Sequence, residues 1–161
     1  MMVAYLLTFN CYGTHMRGAV TGSVDRVRGK RGGAIEASAS LVHYGTHAMA
    51  DVQAGLNLSE CFVVLDAIQE TCAYRNWRLL AAHVRSSHAH VIVEGIAAAS
   101  DALRDLKAYA SRALNRSGRR RHWARGGNVC PLPNAKAVRA AVRYVADGQG
   151  AAMAVYVAAD L

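Results

Sequence analysis

Short segments rich in strand-forming residues alternate along the chain with longer amphipathic segments. Residues 3–11, VAYLLTFNC, contain many β-branched and aromatic residues and predict an opening strand. Residues 78–84 and 88–94 predict two more strands, and the three residues between them are typical of an antiparallel hairpin. Residues 126–133 are interpreted as irregular or as a short strand, and residues 153–157 as an edge strand.

Apolar residues recur at the 3.6-residue period of an α-helix in three segments. Each segment begins at a residue whose side-chain oxygen can accept the first backbone N–H groups. These residues are Asn57 or Ser59 for the first segment, Ser100 for the second and Asn134 for the third. Gly148 follows the third segment and suits a helix C-terminus. The positions expected to face the core are Cys61, Val64, Leu65, Ile68 and Cys72, then Leu103, Leu106, Ala110 and Leu114, then Val138, Ala141, Val142 and Val145.

The remaining early residues, 12–57, lack a sustained period and predict a long excursion, with a short helix near residues 46–54. The other elements follow the order β–α–β–β–α–(β)–α, with strands that are mostly antiparallel. This order predicts one α+β domain over residues 1–161, built as an antiparallel sheet with helices packed on one face.

Length and composition exclude several classes of protein. The 161 residues correspond to about one domain. No stretch approaches the ~18 apolar residues that span a bilayer, and the first residues lack the basic leader and cleavage site of a signal peptide. The four cysteines contain no C-x-x-C pair, which excludes a zinc ribbon or disulfide scaffold. Cys61 and Cys72 lie in an apolar helical pattern, which predicts buried thiols. We therefore expect a soluble protein of the bacterial-type cytoplasm with no membrane partner.

Basic residues outnumber acidic ones by nineteen to eleven, a formal net charge of +8, and sixteen of the nineteen are Arg. The planar guanidinium suits phosphate, so this balance favours a polyanionic partner. A GC-rich genome that favours Arg codons is the alternative explanation, but the basic residues are concentrated. Between residues 104 and 125 the only acidic residue is Asp105, whereas eight residues are basic: Arg104, Lys107, Arg112, Arg116, Arg119, Arg120, Arg121 and Arg125. This run predicts a surface that binds a phosphate backbone.

The sequence SSHAHVIVEG places His88 and His90 two residues apart on a predicted strand. Side chains at i and i+2 leave the same face of a strand, so both imidazoles can bind one divalent ion. Two surface histidines on an edge strand are the alternative. A tyrosine phenolate could use such an ion to attack phosphorus and hold the product covalently. Tyr109 and Tyr144 lie on basic predicted helices, outside the apolar stripes, and either is a candidate nucleophile.

Several motifs, in order along the chain, resemble those of single-tyrosine HUH transposases. They are AYLLTFNCYGTHMRG at residues 4–18, GSVDR at 22–26, the His-x-His strand after an amphipathic helix, WARGG at 123–127 and VRYVADGQG at 142–150. Within that superfamily the chain is most similar to the REP-associated tyrosine transposases and their insertion-sequence relatives. The resemblance covers about residues 4–157, nearly the whole chain.

This resemblance implies a ferredoxin-like (RRM-like) fold in which a metal-bound histidine pair faces a tyrosine on a late helix. It implies a metal-dependent transposase that cuts single-stranded DNA, often beside a hairpin, and leaves a 5′-phosphotyrosine and a free 3′-OH. By their positions in the motifs, His88 and His90 would bind Mg²⁺ or Mn²⁺, Tyr144 would be the nucleophile, and Tyr109 would be structural or face DNA. The insertion-sequence relatives include dimers, so a homodimer is one expected assembly.

Further residues take their expected roles from the same resemblance. The family commonly places Gln or Asn one helical turn after the tyrosine as a third metal ligand, but here that position is Gly148. Glycine lets the helix unwind, so Gln149 is the expected third ligand, with Asp147 and His83 as alternatives. The basic run at 104–125 would then bind the DNA backbone, and Trp123 or His122 would stack on exposed bases.

Two other functions fit parts of this pattern. A ferredoxin-like sheet with a basic rim also suits a non-catalytic nucleic-acid-binding module. A small metal hydrolase unrelated to nucleic acid would use the histidines but would leave the clustered arginines without a role.

Overall fold

The computed structural model describes residues 2–13, 23–27, 30–35, 55–115 and 121–161. Its strands are β1 (Ala4–Asn10), β2 (Ser23–Val27), β3 (Lys30–Ile35), β4 (Arg78–Val84), β5 (His88–Glu94), β6 (Asn128–Leu132) and β7 (Ala154–Val157). Its helices are α1 (Leu58–Arg75), α2 (Ala99–Leu114) and α3 (Ala135–Asp147). The helix expected near residues 46–54 lies outside the described residues.

Five of these strands form one sheet in the order β6–β1–β5–β4–β7. Every neighbouring pair is antiparallel, so the predicted α+β arrangement with an antiparallel sheet is confirmed. The strands predicted at residues 78–84 and 88–94 have the same bounds in the structure, and β7 lies at a sheet edge as predicted. β2 and β3 form a separate antiparallel pair within the expected excursion.

The helices divide between the two faces of the sheet. Val91 of β5 packs with α1 and α2, whereas its neighbour Ile92 packs with α3. The cluster under α3 also contains Leu80, Ala141 and Val145. This differs from the single helical face expected from the sequence. Both sides of β4 and β5 are apolar, so both faces of the sheet need cover from solvent.

Side-chain caps begin two of the helices at the predicted residues. Asn57 and Glu60 cap α1 reciprocally, because each side chain accepts the other's backbone N–H at 2.9 Å. The Asn134 side chain caps α3. The prediction that Ser100 caps α2 is wrong, since the N-cap is Ala98 and the helix begins at Ala99, without a side-chain cap.

The described cysteines are free thiols, and Cys61 and Cys72 are buried as predicted. Burial raises the pKa of Cys72 to about 12, so this thiol stays protonated and unreactive. Across the described helices, none is both long enough and apolar enough to cross a membrane.

Candidate metal and nucleophile site

The histidine pair lies on β5, the central strand, on the face that α3 covers. The ring centroids of His88 and His90 are 4.8 Å apart. In the strand register, His90 lies between Thr8 of β1 and His83 of β4. His90 is only 7% exposed. The two imidazoles are therefore close enough to contact a common ion at the edge of the buried core.

Hydroxyl groups orient both imidazoles. Thr8 Oγ1 hydrogen-bonds His90 Nδ1 at 2.8 Å, and Ser87 Oγ hydrogen-bonds His88 Nδ1 at 2.9 Å. Partners of this kind fix the ring and direct its other nitrogen, Nε2, toward a ligand. Burial and the nearby His88 lower the pKa of His90 to about 4, so its imidazole is neutral at pH 7. The neutral imidazole is the form that binds a metal ion.

Tyr144 lies on α3 beside this pair. Its ring centroid is 5.5 Å from that of His90, and the residue is 49% exposed. Ala141 and Val145 pack on the sheet, which leaves Tyr144 at the border between the helix and solvent. A Cβ at position 148 would lie 3.2 Å from Tyr144 Cδ2 and 2.8 Å from the Tyr144 carbonyl oxygen. Gly148 has an ordinary φ of −81°, so the close approach of Tyr144 is what favours glycine there.

Gln149 follows the end of α3 and reaches the histidines. Its Oε1 is 3.3 Å from His88 Nε2, and its side chain also hydrogen-bonds His90. Among the described residues no three His, Cys, Asp or Glu side chains come together around an ion, so neither Asp147 nor His83 completes the pair in this arrangement. The site offers two imidazole nitrogens and one amide oxygen, and this donor set fits a divalent ion.

Tyr109, the other candidate nucleophile, lies on α2 and therefore on the opposite face of the sheet. Its ring centroid is 6.5 Å from that of Tyr74, and the Arg112 guanidinium lies over it at 4.9 Å. These contacts place Tyr109 at the surface between α1 and α2. Of the two tyrosines, Tyr144 is the one beside the histidine pair.

The two rings expected to stack on bases are buried. Trp123 is 8% exposed, packs edge-on against Phe9 with centroids 4.8 Å apart, and donates its indole N–H to the Lys107 carbonyl. His122 is 2% exposed, and its Nε2 hydrogen-bonds Asn115 Oδ1 at 2.7 Å. This corrects the expectation from the sequence: in this structure neither ring is presented to a base, because each is part of the packing between β1 and α2.

Lys107 also has a structural role in place of the expected contact with phosphate. Its Nζ donates to the carbonyl oxygens of Ala124 and Gly126, at 2.8 and 2.6 Å. Burial lowers the pKa of Lys107. The ammonium thus holds residues 124–126, at the end of the basic run, against α2. Arg112 is exposed, but on the face opposite the histidines.

Two arginines of the basic run lie at the histidine end of the sheet. The Ala124 N–H donates to the Asn10 carbonyl at 2.9 Å, and Asn10 is the register partner of His88. Arg121 and Arg125 flank this contact, and both are exposed. The other expected DNA-binding residues, Arg116, Arg119 and Arg120, lie outside the described residues.

The sequence marked the helix of Tyr144 as basic, but no residue on it was predicted to bind DNA. Lys136, Arg139 and Arg143 are exposed on the helix that carries Tyr144. Their spacing of three and four residues is the signal that could have found them, since residues so spaced share one side of a helix. Thr8 was also missed, because nothing local in the sequence pairs it with His90.

Comparison with known proteins adds evidence on the fold. The sequence matches no protein-family model and no curated protein at a significant level. The structure is similar to that of a REP-associated tyrosine transposase bound to a REP hairpin, with a TM-score of 0.53 and 16% identity. The chain has a tyrosine-transposase-like fold.

The similarity to that transposase covers 91% of this chain and 66% of the other, so this chain spans about two thirds of the neighbour's length. A second solved structure, from Deinococcus radiodurans and provisionally assigned as a transposase, has a TM-score of 0.47, 14% identity and 94% coverage of both chains. At 16% identity, the similarity to the first structure establishes the transposase-like fold.

Proposed function

We propose that the protein is a metal-dependent endonuclease and strand transferase for single-stranded DNA, a transposase that acts through a phosphotyrosine at Tyr144. The observation that carries this proposal is the 5.5 Å separation between the rings of Tyr144 and His90, with Gln149 beside His88. A hydroxyl nucleophile, two imidazoles and an amide oxygen thus meet on one face of the sheet. The hydroxyl can attack a phosphodiester, and the imidazoles and amide oxygen can hold a divalent ion beside it.

Tyr144 provides the nucleophile in this proposal. Its Oη attacks the scissile phosphorus and forms a new P–O bond, while the bond from phosphorus to the 3′ oxygen breaks. The 3′ oxygen takes a proton and leaves as a free 3′-OH. The phenolic proton passes to solvent, which reaches the side chain because Tyr144 is half-exposed. The phosphotyrosine retains the energy of the broken bond, so joining to another 3′-OH needs no ATP.

His88, His90 and Gln149 would hold the divalent ion, through two imidazole nitrogens and the amide oxygen. When bound, Mg²⁺ or Mn²⁺ supplies charge stabilisation to the reacting phosphate. The imidazole pair favours Mn²⁺, because Mg²⁺ prefers oxygen ligands. The chain's own contribution is to keep His90 neutral by burial and to orient the ring through the Thr8 hydroxyl.

The charge around the site supports a DNA partner. Lys136, Arg139 and Arg143 lie along the helix that carries Tyr144, and Arg121 and Arg125 lie at the same end of the sheet as His88. Phosphate contacts from such residues position a strand without reading its sequence. The transposase neighbour is bound to a REP hairpin, which favours a single-stranded substrate beside a hairpin for this chain as well.

Single-stranded DNA labelled at either end tests the proposal. With Mn²⁺ we expect a covalent protein–DNA adduct on a denaturing gel that retains a 3′-end label and releases a 5′-end label, because the tyrosine is joined to the 5′ phosphate. The variant His88→Ala/His90→Ala should give no adduct. An adduct that keeps the 5′-end label would contradict the proposed chemistry. DNA binding without an adduct on hairpin substrates would favour the non-catalytic binding module.

A further inference from the structure

His83 is fully buried on β4, and both of its ring nitrogens bond backbone groups. Nε2 accepts the Met153 N–H at 3.2 Å, so the ring proton must be on Nδ1, which donates to the Val145 carbonyl at 3.0 Å. Burial lowers the pKa of His83 and so favours this neutral form. With both nitrogens bonded in this way, His83 is a poor candidate for the metal ligand that the sequence allowed.

These two bonds hold both ends of the segment at residues 146–152. Val145 directly follows Tyr144 in α3, and Met153 directly precedes β7. The middle of the segment carries Gln149, whose Oε1 is 3.3 Å from His88 Nε2. Residues 148–151 of this segment consist of turns and bends. The bonds at the two ends of the segment therefore help to hold the amide of Gln149 in place, beside the bond that its Nε2 donates to the Tyr144 carbonyl at 3.5 Å.

Arg85, in the turn after β4, adds a third bond to the same segment. Its Nη1 donates to the Ala151 carbonyl at 2.9 Å. The preceding residue, Gly150, has a left-handed φ of 80°, which lets the chain turn sharply at this point. All three bonds thus come from β4 or its following turn, and β4 is paired with the strand that carries the histidines.

We infer that His83 is a positioning residue, which holds Tyr144 and Gln149 against the histidine pair by bonding the backbone on either side of residues 146–152. The functional consequence rests on the proposed function, because the positioned residues are its nucleophile and its third ligand. Without the imidazole, the ladder between β4 and β5 remains, but the segment loses the bonds at both its ends. The sheet should then stay folded while the amide of Gln149 leaves the histidines.

Three substitutions separate positioning from general stability. His83→Leu removes both bonds, whereas His83→Gln keeps a side-chain oxygen that can accept the Met153 N–H. Val84→Ala is the matched control, because Val84 is also fully buried on β4 but packs in the cluster on the opposite face. If His83→Leu fails to fold, His83→Gln carries the test.

Hydrogen exchange in the metal-free protein is the first measurement. We expect His83→Leu to speed exchange at the Met153 amide and within residues 146–152 by at least tenfold, with exchange in β5 unchanged. His83→Gln should retain part of the protection at Met153. Val84→Ala should lower the melting temperature without a selective change in this segment. Unchanged exchange in the segment of His83→Leu, or of His83→Gln where the leucine variant does not fold, would overturn the inference.

Mn²⁺ binding measured by calorimetry is the second measurement. We expect His83→Leu to weaken binding by about tenfold, as is usual when a residue that orients a ligand is lost. Gln149→Ala should cause a similar loss, and the double variant should bind no more weakly than Gln149→Ala alone. If the double variant instead loses affinity by the product of the two single losses, His83 does not act through Gln149, and the inference that His83 positions Gln149 is overturned. If the unmodified protein binds no Mn²⁺, the proposed metal site fails, and the exchange measurement still decides the positioning role.

Discussion

The rings of Tyr144 and His90 meet edge-on, with centroids 5.5 Å apart and planes inclined by 65°. His90 lies on the central strand, and Tyr144 comes from the helix that covers this face of the sheet. Ala141, one turn before Tyr144, packs on the sheet and lets the helix approach it closely. Tyr144, whose hydroxyl is the proposed nucleophile, is 49% exposed and so borders both solvent and the histidine pair.

Substitution of that hydroxyl is the most direct test of the nucleophile. Tyr144→Phe should abolish the covalent DNA adduct and change noncovalent DNA affinity by less than about twofold, because one exposed hydroxyl is lost and the ring remains. Tyr109→Phe is the matched control and should retain the adduct, since Tyr109 lies on the opposite face. A denaturing gel and a filter-binding assay measure the two effects. An adduct that survives Tyr144→Phe would exclude Tyr144 as the nucleophile.

The hydroxyl of Thr8 should tune metal binding through His90. Thr8→Val keeps the shape of the side chain but removes the hydrogen bond to His90 Nδ1, so we expect Mn²⁺ affinity to fall by about tenfold. Thr71→Val is the control: it also removes a buried hydroxyl, one that donates to the Ala67 carbonyl within α1, and it should leave Mn²⁺ affinity unchanged. Calorimetry measures both. Equal affinity in Thr8→Val and the unmodified protein would contradict this role.

Much of the fold followed from local patterns in the sequence. The apolar runs of β4 and β5 have the length of strands, and three intervening residues leave room for little except a tight turn. Asn134 identified the start of α3 because a capping side chain bonds only its own first turn. The His-x-His spacing placed both imidazoles on one face of a strand, a consequence of strand geometry alone.

The rest depended on contacts between distant parts of the chain. Trp123 lies among arginines in the sequence and so resembled an exposed ring, but its packing partner Phe9 is on the first strand. Lys107 resembled a phosphate ligand because the carbonyls that it bonds lie on a later segment. The sequence also did not show which face of the sheet α3 covers, because the consecutive residues Val91, Ile92 and Val93 make both sides of β5 apolar.

The basic side of α3 should contribute to DNA affinity through charge. Replacing Lys136, Arg139 and Arg143 by Gln should weaken binding to every single strand and reduce the salt-dependence slope by about 2, at about 0.7 per phosphate contact. Arg75→Gln/Arg104→Gln is the control, because these residues lie on α1 and α2 and pair with acidic side chains there. Fluorescence anisotropy across a salt series measures the slope. An unchanged slope in the α3 variant would mean that this surface makes no phosphate contacts.

Stability of the metal-free protein should fall in mild acid because of His90. The unfolded histidine binds a proton near its ordinary pKa of 6.5, whereas the folded one does so only near pKa 4. Between these values the unfolded state holds more protons, so the stabilising contribution is complete above pH 6.5 and is lost as pH falls toward 4. In His90→Gln, the loss of unfolding free energy between pH 6.5 and pH 4 should be smaller by up to about 3 kcal/mol, as measured by urea unfolding at a series of pH values. A variant with the same pH dependence as the unmodified protein would contradict the shifted pKa.

β1 carries Thr8, which bonds His90, and this strand also packs closely against Gly127, a position outside the site. A Cβ there would lie 2.7 Å from Leu103 Cδ2 and 2.7 Å from the Thr8 carbonyl oxygen. The leucine can rotate, but the carbonyl belongs to β1 and moves only with the strand, so Gly127→Ala should cost about 1–3 kcal/mol of unfolding free energy. Gly55→Ala is the control, because its nearest neighbour, the Ser86 carbonyl oxygen, is 3.9 Å away, and we expect a change below about 0.5 kcal/mol. Because Thr8 also bonds His90, Gly127→Ala should weaken Mn²⁺ binding as well. Equal unfolding free energies for Gly127→Ala and Gly55→Ala would contradict the close packing of β1 against Gly127.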